Sequence, residues 1–176
     1  MRKPGTGPFK AQKFYFTIFE SPMGDLGLVS SEKGLCEVRT RIRNRNSFIT
    51  YLKKSYPEIP QENPVKLETV IRQLEEYFAG KRQKFTCKLD LNQGTDFQQK
   101  VWKALQSIPH GDTRSYAWIA EAIGQPKAVR AVGGANGKNP IPIIVPCHRI
   151  IRKDGSIGGY TGGLNKKRFL LELEGA

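Results

Sequence analysis

The chain has 176 residues, enough for one or two compact domains, and carries 29 Lys and Arg against 16 Asp and Glu, a formal charge of +13. Such an excess favours a polyanionic partner, nucleic acid ahead of a membrane surface. Three well-separated cysteines and two histidines offer no metal-ligand spacing and no disulfide framework, so no metal is expected and the expected compartment is reducing. No run approaches the roughly 20 apolar residues that span a bilayer, and the basic start MRKPGTGPFKAQKFYF reads as no signal peptide.

In chain order, FYFTIFESPMGDLGLVSSEKGLCEVR predicts a meander of short antiparallel strands, broken at Pro22–Asp25 and at Lys33-Gly34. Arg39, Arg41, Arg43 and Arg45 alternate, so on a strand they share one face; a solvated sheet face or loop is the reading preferred over a phosphate-binding strip. PVKLETVIRQLEEYFAG places Leu67, Val70, Ile71, Leu74 and Phe78 at helical spacing before Gly80. LDLNQGTD reads as a linker, dividing the chain into residues 1–92 and 93–176.

After it, Thr95 and Gln98 are spaced as a capping box, with Phe97, Val101 and Leu105 as the inward stripe. SYAWIAEAIG is a short helix with Ser115 as N-cap and Gly124 just past its end. QPKAVRAVGGAN starts another, with Pro126 at its first position. The pair reads as a helix-turn-helix. Its second helix joins Lys127 and Arg130 to the small residues Ala128, Ala131 and Gly133, so it can approach a nucleic-acid groove closely. PIPIIVPCHR follows. Three prolines exclude a helix and predict a stiff extended rod that delivers Cys147 to a fixed point. Asp154-Gly155 marks a turn, GSIGGYTGGL a glycine loop, and NKKRFLLELEG a final helix with Leu164, Leu170, Leu171 and Leu173 inward.

Cys147 is the candidate nucleophile. Its neighbours His148 and Arg149 are expected to lower the thiol pKa and raise the thiolate fraction. Successive side chains on an extended chain point to opposite faces, so His148 would reach the sulfur through a water or across a sharp turn. A carboxylate would orient His148, and Glu172 and Glu174 are both placed to do so.

The ordered string AVGGANGKNPIPIIVPCHRII, GSIGGYTGGL and KKRFLLELEG, over residues 95–175, resembles the O6-alkylguanine-DNA alkyltransferases. The resemblance implies an α+β protein: an N-terminal ribonuclease-H-like α/β domain with a short antiparallel sheet, then a mostly helical C-terminal domain carrying the helix-turn-helix. It implies irreversible, once-only transfer of an alkyl group from flipped-out O6-alkylguanine, and from O4-alkylthymine, to Cys147, with no cofactor. His148 would deprotonate Cys147, Glu174 would orient His148, Asn139 would buttress the cysteine turn, and Tyr116 would donate its hydroxyl to the guanine ring. Arg130 would enter the duplex in place of the base. Ser115, Lys127, Ala128, Ala131, Gly133 and Asn136 complete the implied DNA-binding set, and the duplex is met mainly through its minor groove. Pro142, Gly158 and Tyr160 would line the alkyl pocket, with the Ile150 carbonyl and the Thr161 N–H at the base edge. A monomer is implied, cytoplasmic in a bacterium or archaeon and nuclear in a eukaryote. Two rivals predict otherwise. A lesion-binding helix-turn-helix protein would leave Cys147 unmodified, and a cysteine hydrolase would turn over esters.

Overall fold

The computed structural model describes residues 12–176; the basic start read above falls mostly on residues 1–11, outside them. The chain forms two compact units, one ending at Gln93 and the other running Gly94–Ala176. In the first, β1 (Phe14–Phe19), β2 (Leu26–Ser31) and β3 (Gly34–Arg39) form the expected antiparallel meander. A short β4 (Gln61–Glu62) adds to β1 in parallel, giving the order β3-β2-β1-β4. Phe14, Phe16, Val29 and Cys36 pack against Phe48, Leu52 and Tyr56 as an apolar core.

The alternating arginines do not share a strand face. Only Arg39 lies on a strand, and Arg45 opens an unforeseen helix, α1 (Arg45–Ser55). Asn44 and Ser47 form a capping box there, which ends the extended chain by satisfying the first helical N–H groups. Arg39 instead stacks 3.5 Å from the Tyr51 ring centre, and Arg45 pairs with Glu62. After a single 3₁₀ turn (Pro64–Leu67), α2 (Glu68–Phe78) buries Val70 and Leu74, and Gly80 follows with φ +70°.

In the second unit, α3 (Asp96–Leu105) begins at the predicted Thr95/Gln98 capping box and buries Val101, Trp102 and Leu105. Gly94 is required by close approach: a Cβ there would lie 2.2 Å from the Trp102 ring. The two-residue β5 (Arg114–Ser115) leads into α4 (Tyr116–Ala122), capped by Ser115 Oγ accepting from Trp118 N–H at 3.2 Å. α5 (Val129–Gly137) packs on α3 and α4. Pro126 does not occupy its first turn. The Ala128 N–H donates to the Gln125 carbonyl, closing a separate turn, and the helix starts at Val129. A 3₁₀ turn (Cys147–Arg149) runs into β6 (Ile150–Ile151), which pairs in parallel with β5. α6 (Leu164–Glu174) closes the unit. Leu170 and Leu171 point inward as expected, Leu164 is exposed, and Lys167 and Glu174 take the remaining inward positions.

Candidate active site

The proline run is not an extended rod. It folds into a tight turn in which the Val145 N–H donates to the Ile141 carbonyl at 2.9 Å and Pro142 bridges to Val145. Ile143 sits at φ +79°, the one non-glycine residue with positive φ among those described. A β-branched residue there costs about 1–2 kcal/mol. The turn persists because Ile141, Ile143 and Val145 are fully buried, at about 1.5–3 kcal/mol each. Asn139 locks it from the side: its Nδ2 donates to the Val145 carbonyl at 2.7 Å, and its Oδ1 accepts from the Ile141 N–H at 3.0 Å. The prolines restrict the alternatives; burial selects the strained one.

This turn presents Cys147 at a cavity of about 310 Å³. Tyr116 of α4 lines one side, with Gly133, Asn136 and Gly137 of α5, and the loop residues Gly159, Tyr160 and Thr161 close it. Of the residues expected around the alkyl group and at the base edge, Tyr160 and Thr161 line the cavity. Pro142, Ile150 and Gly158 do not. Pro142 is held in the tight turn, and Ile150 is fully buried with its carbonyl accepting from Lys167 Nζ. Gly158 lies close to the Tyr116 hydroxyl: a Cβ there would be 3.5 Å from it. Thr161 Oγ1 donates to the Gly137 carbonyl at 2.8 Å, tying the loop to the end of α5.

His148 points into the protein, with no solvent exposure. Its Nε2 lies 2.9 Å from Glu174 Oε1, and its Nδ1 has no hydrogen-bond partner among the described residues. An ionised Glu174 accepts only, so Nε2 carries the hydrogen and Nδ1 the lone pair. Glu174 is therefore the carboxylate that the spacing left open; Glu172 is exposed. Arg149 also reaches Glu174, Nε to Oε2 at 2.8 Å and Nη2 to Oε1 at 2.9 Å, while its Nη1 donates to the Ile108 carbonyl at 2.6 Å.

The sulfur is not activated as expected. Burial pushes the Cys147 thiol up to about 11, opposed by a hydrogen bond with Asn139 and by the charge of Lys167. Arg149 spends its charge on Glu174, and His148 is held below its ordinary value, chiefly by burial, against the pull of Glu174. The cation that acts on the sulfur is Lys167, which sequence reasoning missed. The signal was there: 167, 170, 171 and 174 are spaced i, i+3, i+4, i+7, so Lys167 occupies a core position of α6.

Lys127, in the turn before α5 and not on the helix, is exposed, as are Arg130 and Ala131 in the first turn of α5, with the N-cap Ala128 half-buried. Among the described residues no cluster of three His, Cys, Asp or Glu could hold a metal ion, and no helix is long and apolar enough to cross a membrane.

Residues 14–91 match the family model described as 6-O-methylguanine DNA methyltransferase, ribonuclease-like domain, and residues 96–176 match its DNA binding domain. A methylated-DNA–protein-cysteine methyltransferase of Methanosarcina acetivorans is 47% identical over 166 residues, covering 92% of this chain and 99% of the relative. One from Mycobacterium tuberculosis is 49% identical over 160 residues, covering 91% and 92%. Among solved structures, Mycobacterium tuberculosis OGT in complex with DNA superposes with a TM-score of 0.80 at 45% identity, covering 92% of each chain. The Mycobacterium tuberculosis O6-methylguanine methyltransferase gives 0.79 at 46%, covering 92% of this chain and 93% of that one.

Proposed function

For a chain that belongs to the 6-O-methylguanine DNA methyltransferase family, we propose repair of O6-alkylguanine in duplex DNA by transfer of the alkyl group to Cys147. The observation that carries this reading is the one sulfur lining the cavity, followed directly in sequence by a buried His148–Glu174–Arg149 cluster. The thiol is protonated at neutral pH, so its proton leaves as the carbon–sulfur bond forms. His148 is suited to take it, through a bridging water. Burial keeps the imidazole neutral, Nδ1 holds a lone pair, and Glu174 stabilises the imidazolium that results. The sulfur attacks the alkyl carbon, the carbon–O6 bond breaks, and guanine departs as an anion. The Tyr116 hydroxyl at the cavity wall is the donor available to that developing charge.

An alkyl group on O6 is buried in the base stack, so the nucleotide must be turned out at a cost of a few kcal/mol. Arg130, exposed on the second helix of the helix-turn-helix, fills the gap, and the small residues beside it permit close approach to the groove. The product is a thioether, which has no exchange route back to a thiol, so each molecule acts once.

The test is to incubate the protein with a duplex carrying one O6-methylguanine, measure the intact mass and map the adduct. One methyl on Cys147, saturating at one equivalent, is expected, and Cys147→Ser retains DNA binding without transfer. Arg130→Ala loses repair of duplex far more than reaction with free O6-methylguanine. Many duplexes restored per protein molecule, or an unmodified Cys147 after repair, overturns the reading.

A further inference from the structure

Lys167 has no part in the chemistry above, yet it is a fully buried cation beside the site. Its Nζ donates to the carbonyls of Ile150 and Ile157, and to that of Gly159 at 3.3 Å. Three acceptors meet the three protons of one ammonium. Ile150 follows directly on the Cys147–Arg149 turn, and Ile157–Gly159 begins the glycine loop, of which Gly159 lines the cavity. Two of the three residues Ile157–Gly159 are glycines with no side chain to anchor them, so a cation holding the carbonyls of this segment replaces packing.

The charge has a second consequence. Arg149 is neutralised by Glu174, whereas no carboxylate pairs with Lys167 among the described residues. The titratable and charged groups facing it are Cys147 and His148 on the 3₁₀ turn, Arg152 beyond β6, and Tyr116 of α4. The Tyr116 hydroxyl and Lys167 Nζ lie 3.5 and 3.8 Å from the same point, the Cβ that Gly158 lacks. Only Cys147 and Tyr116 among these can become negative. Burial lowers Lys167 to about 8, which leaves it charged at neutral pH.

We propose that Lys167 is a positioning residue for the alkyl acceptor: its ammonium pins the Ile157–Gly159 loop to Ile150, and its uncompensated charge favours the Cys147 thiolate. The proposal rests on Cys147 being the acceptor in the reaction above.

Two variants and two probes test it. Iodoacetamide reads the Cys147 thiolate without DNA, by the rate of its adduct, mapped by mass, against pH. Single-turnover transfer from the O6-methylguanine duplex reads the pocket. Lys167→Met is expected to slow the iodoacetamide reaction about tenfold at pH 7.5, where Lys167 of the parent is charged. Lys167→Arg is expected to keep that rate and lose duplex transfer about tenfold or more, because a planar guanidinium does not reproduce the three-carbonyl cradle. A Lys167→Met protein that melts like the parent with an unchanged iodoacetamide rate at pH 7.5 overturns the proposal. Should Lys167→Met fail to fold, a slowed iodoacetamide reaction of Lys167→Arg at that pH overturns it equally. Failure of the alkyl-transfer reading is seen separately, as a parent protein that takes no methyl from DNA while its iodoacetamide profile is still measured.

Discussion

Replacing Glu174 by Gln removes one negative charge from the most enclosed polar cluster in the second unit. The carboxylate has no exposed side-chain surface and accepts from His148 Nε2 at 2.9 Å and from Arg149 Nε and Nη2 at 2.8 and 2.9 Å. Gln keeps a single acceptor oxygen. Its amide nitrogen then faces either Arg149 Nε or the His148/Arg149 Nη2 pair, a donor against donors. Arg149 keeps its bond to the Ile108 carbonyl and one bond to the amide oxygen, but becomes a buried charge with no counter-ion. Breaking a buried pair in this way costs about 3–5 kcal/mol, and the oxygen that remains puts the loss near the lower end, about 3 kcal/mol. For a domain of up to about 100 residues that lowers Tm by roughly 12 °C or more. Calorimetry of parent and variant gives the stability, and single-turnover transfer from an O6-methylguanine duplex gives the activity. Both should fall, since His148 loses the negative charge that stabilises its imidazolium in either orientation of the amide. A Glu174→Gln protein melting within about 2 °C of the parent would refute the view that this carboxylate holds the two cations in place.

Asn139→Ala removes both bonds that brace the strained turn, at about 0.5–1.5 kcal/mol each. The expected signature is a large loss of single-turnover transfer with duplex affinity unchanged in a gel-shift titration, because the turn positions Cys147 and not the exposed face of α5. Stability should also depend on pH through His148. Burial depresses its folded pKa, so below its ordinary value of 6.5 the unfolded chain takes up the proton first and stability falls as pH falls. Above 6.5 the imidazole is neutral in both states and adds no slope. Urea midpoints between pH 7.5 and 5.5 should therefore drop more steeply in the parent than in His148→Gln, and equal slopes would count against a buried neutral imidazole.

Local sequence determined a great deal of this protein. The three strands of the meander follow their β-rich runs and the turns between them, while the Thr95/Gln98 box, the Ser115 cap and the stop at Gly124 rest on contacts within a few residues, and each stands where those residues put it. Cys147 was singled out by its neighbours, and the ordered motifs around it carried the family resemblance. What local pattern could not decide was how the ends of one segment meet another. Three prolines argued for an extended rod, but burying Ile141, Ile143 and Val145 outweighs the strain at Ile143, and the chain turns. A cysteine flanked by His148 and Arg149 argued for a lowered thiol pKa. Glu174, 25 residues beyond Arg149, takes that arginine's charge, and the buried sulfur is left to Lys167. Hydrogen-bond caps and turns are short-range and are written into a few adjacent residues. Desolvation and the pairing of buried charges depend on which distant groups pack together, and only the tertiary structure fixes that.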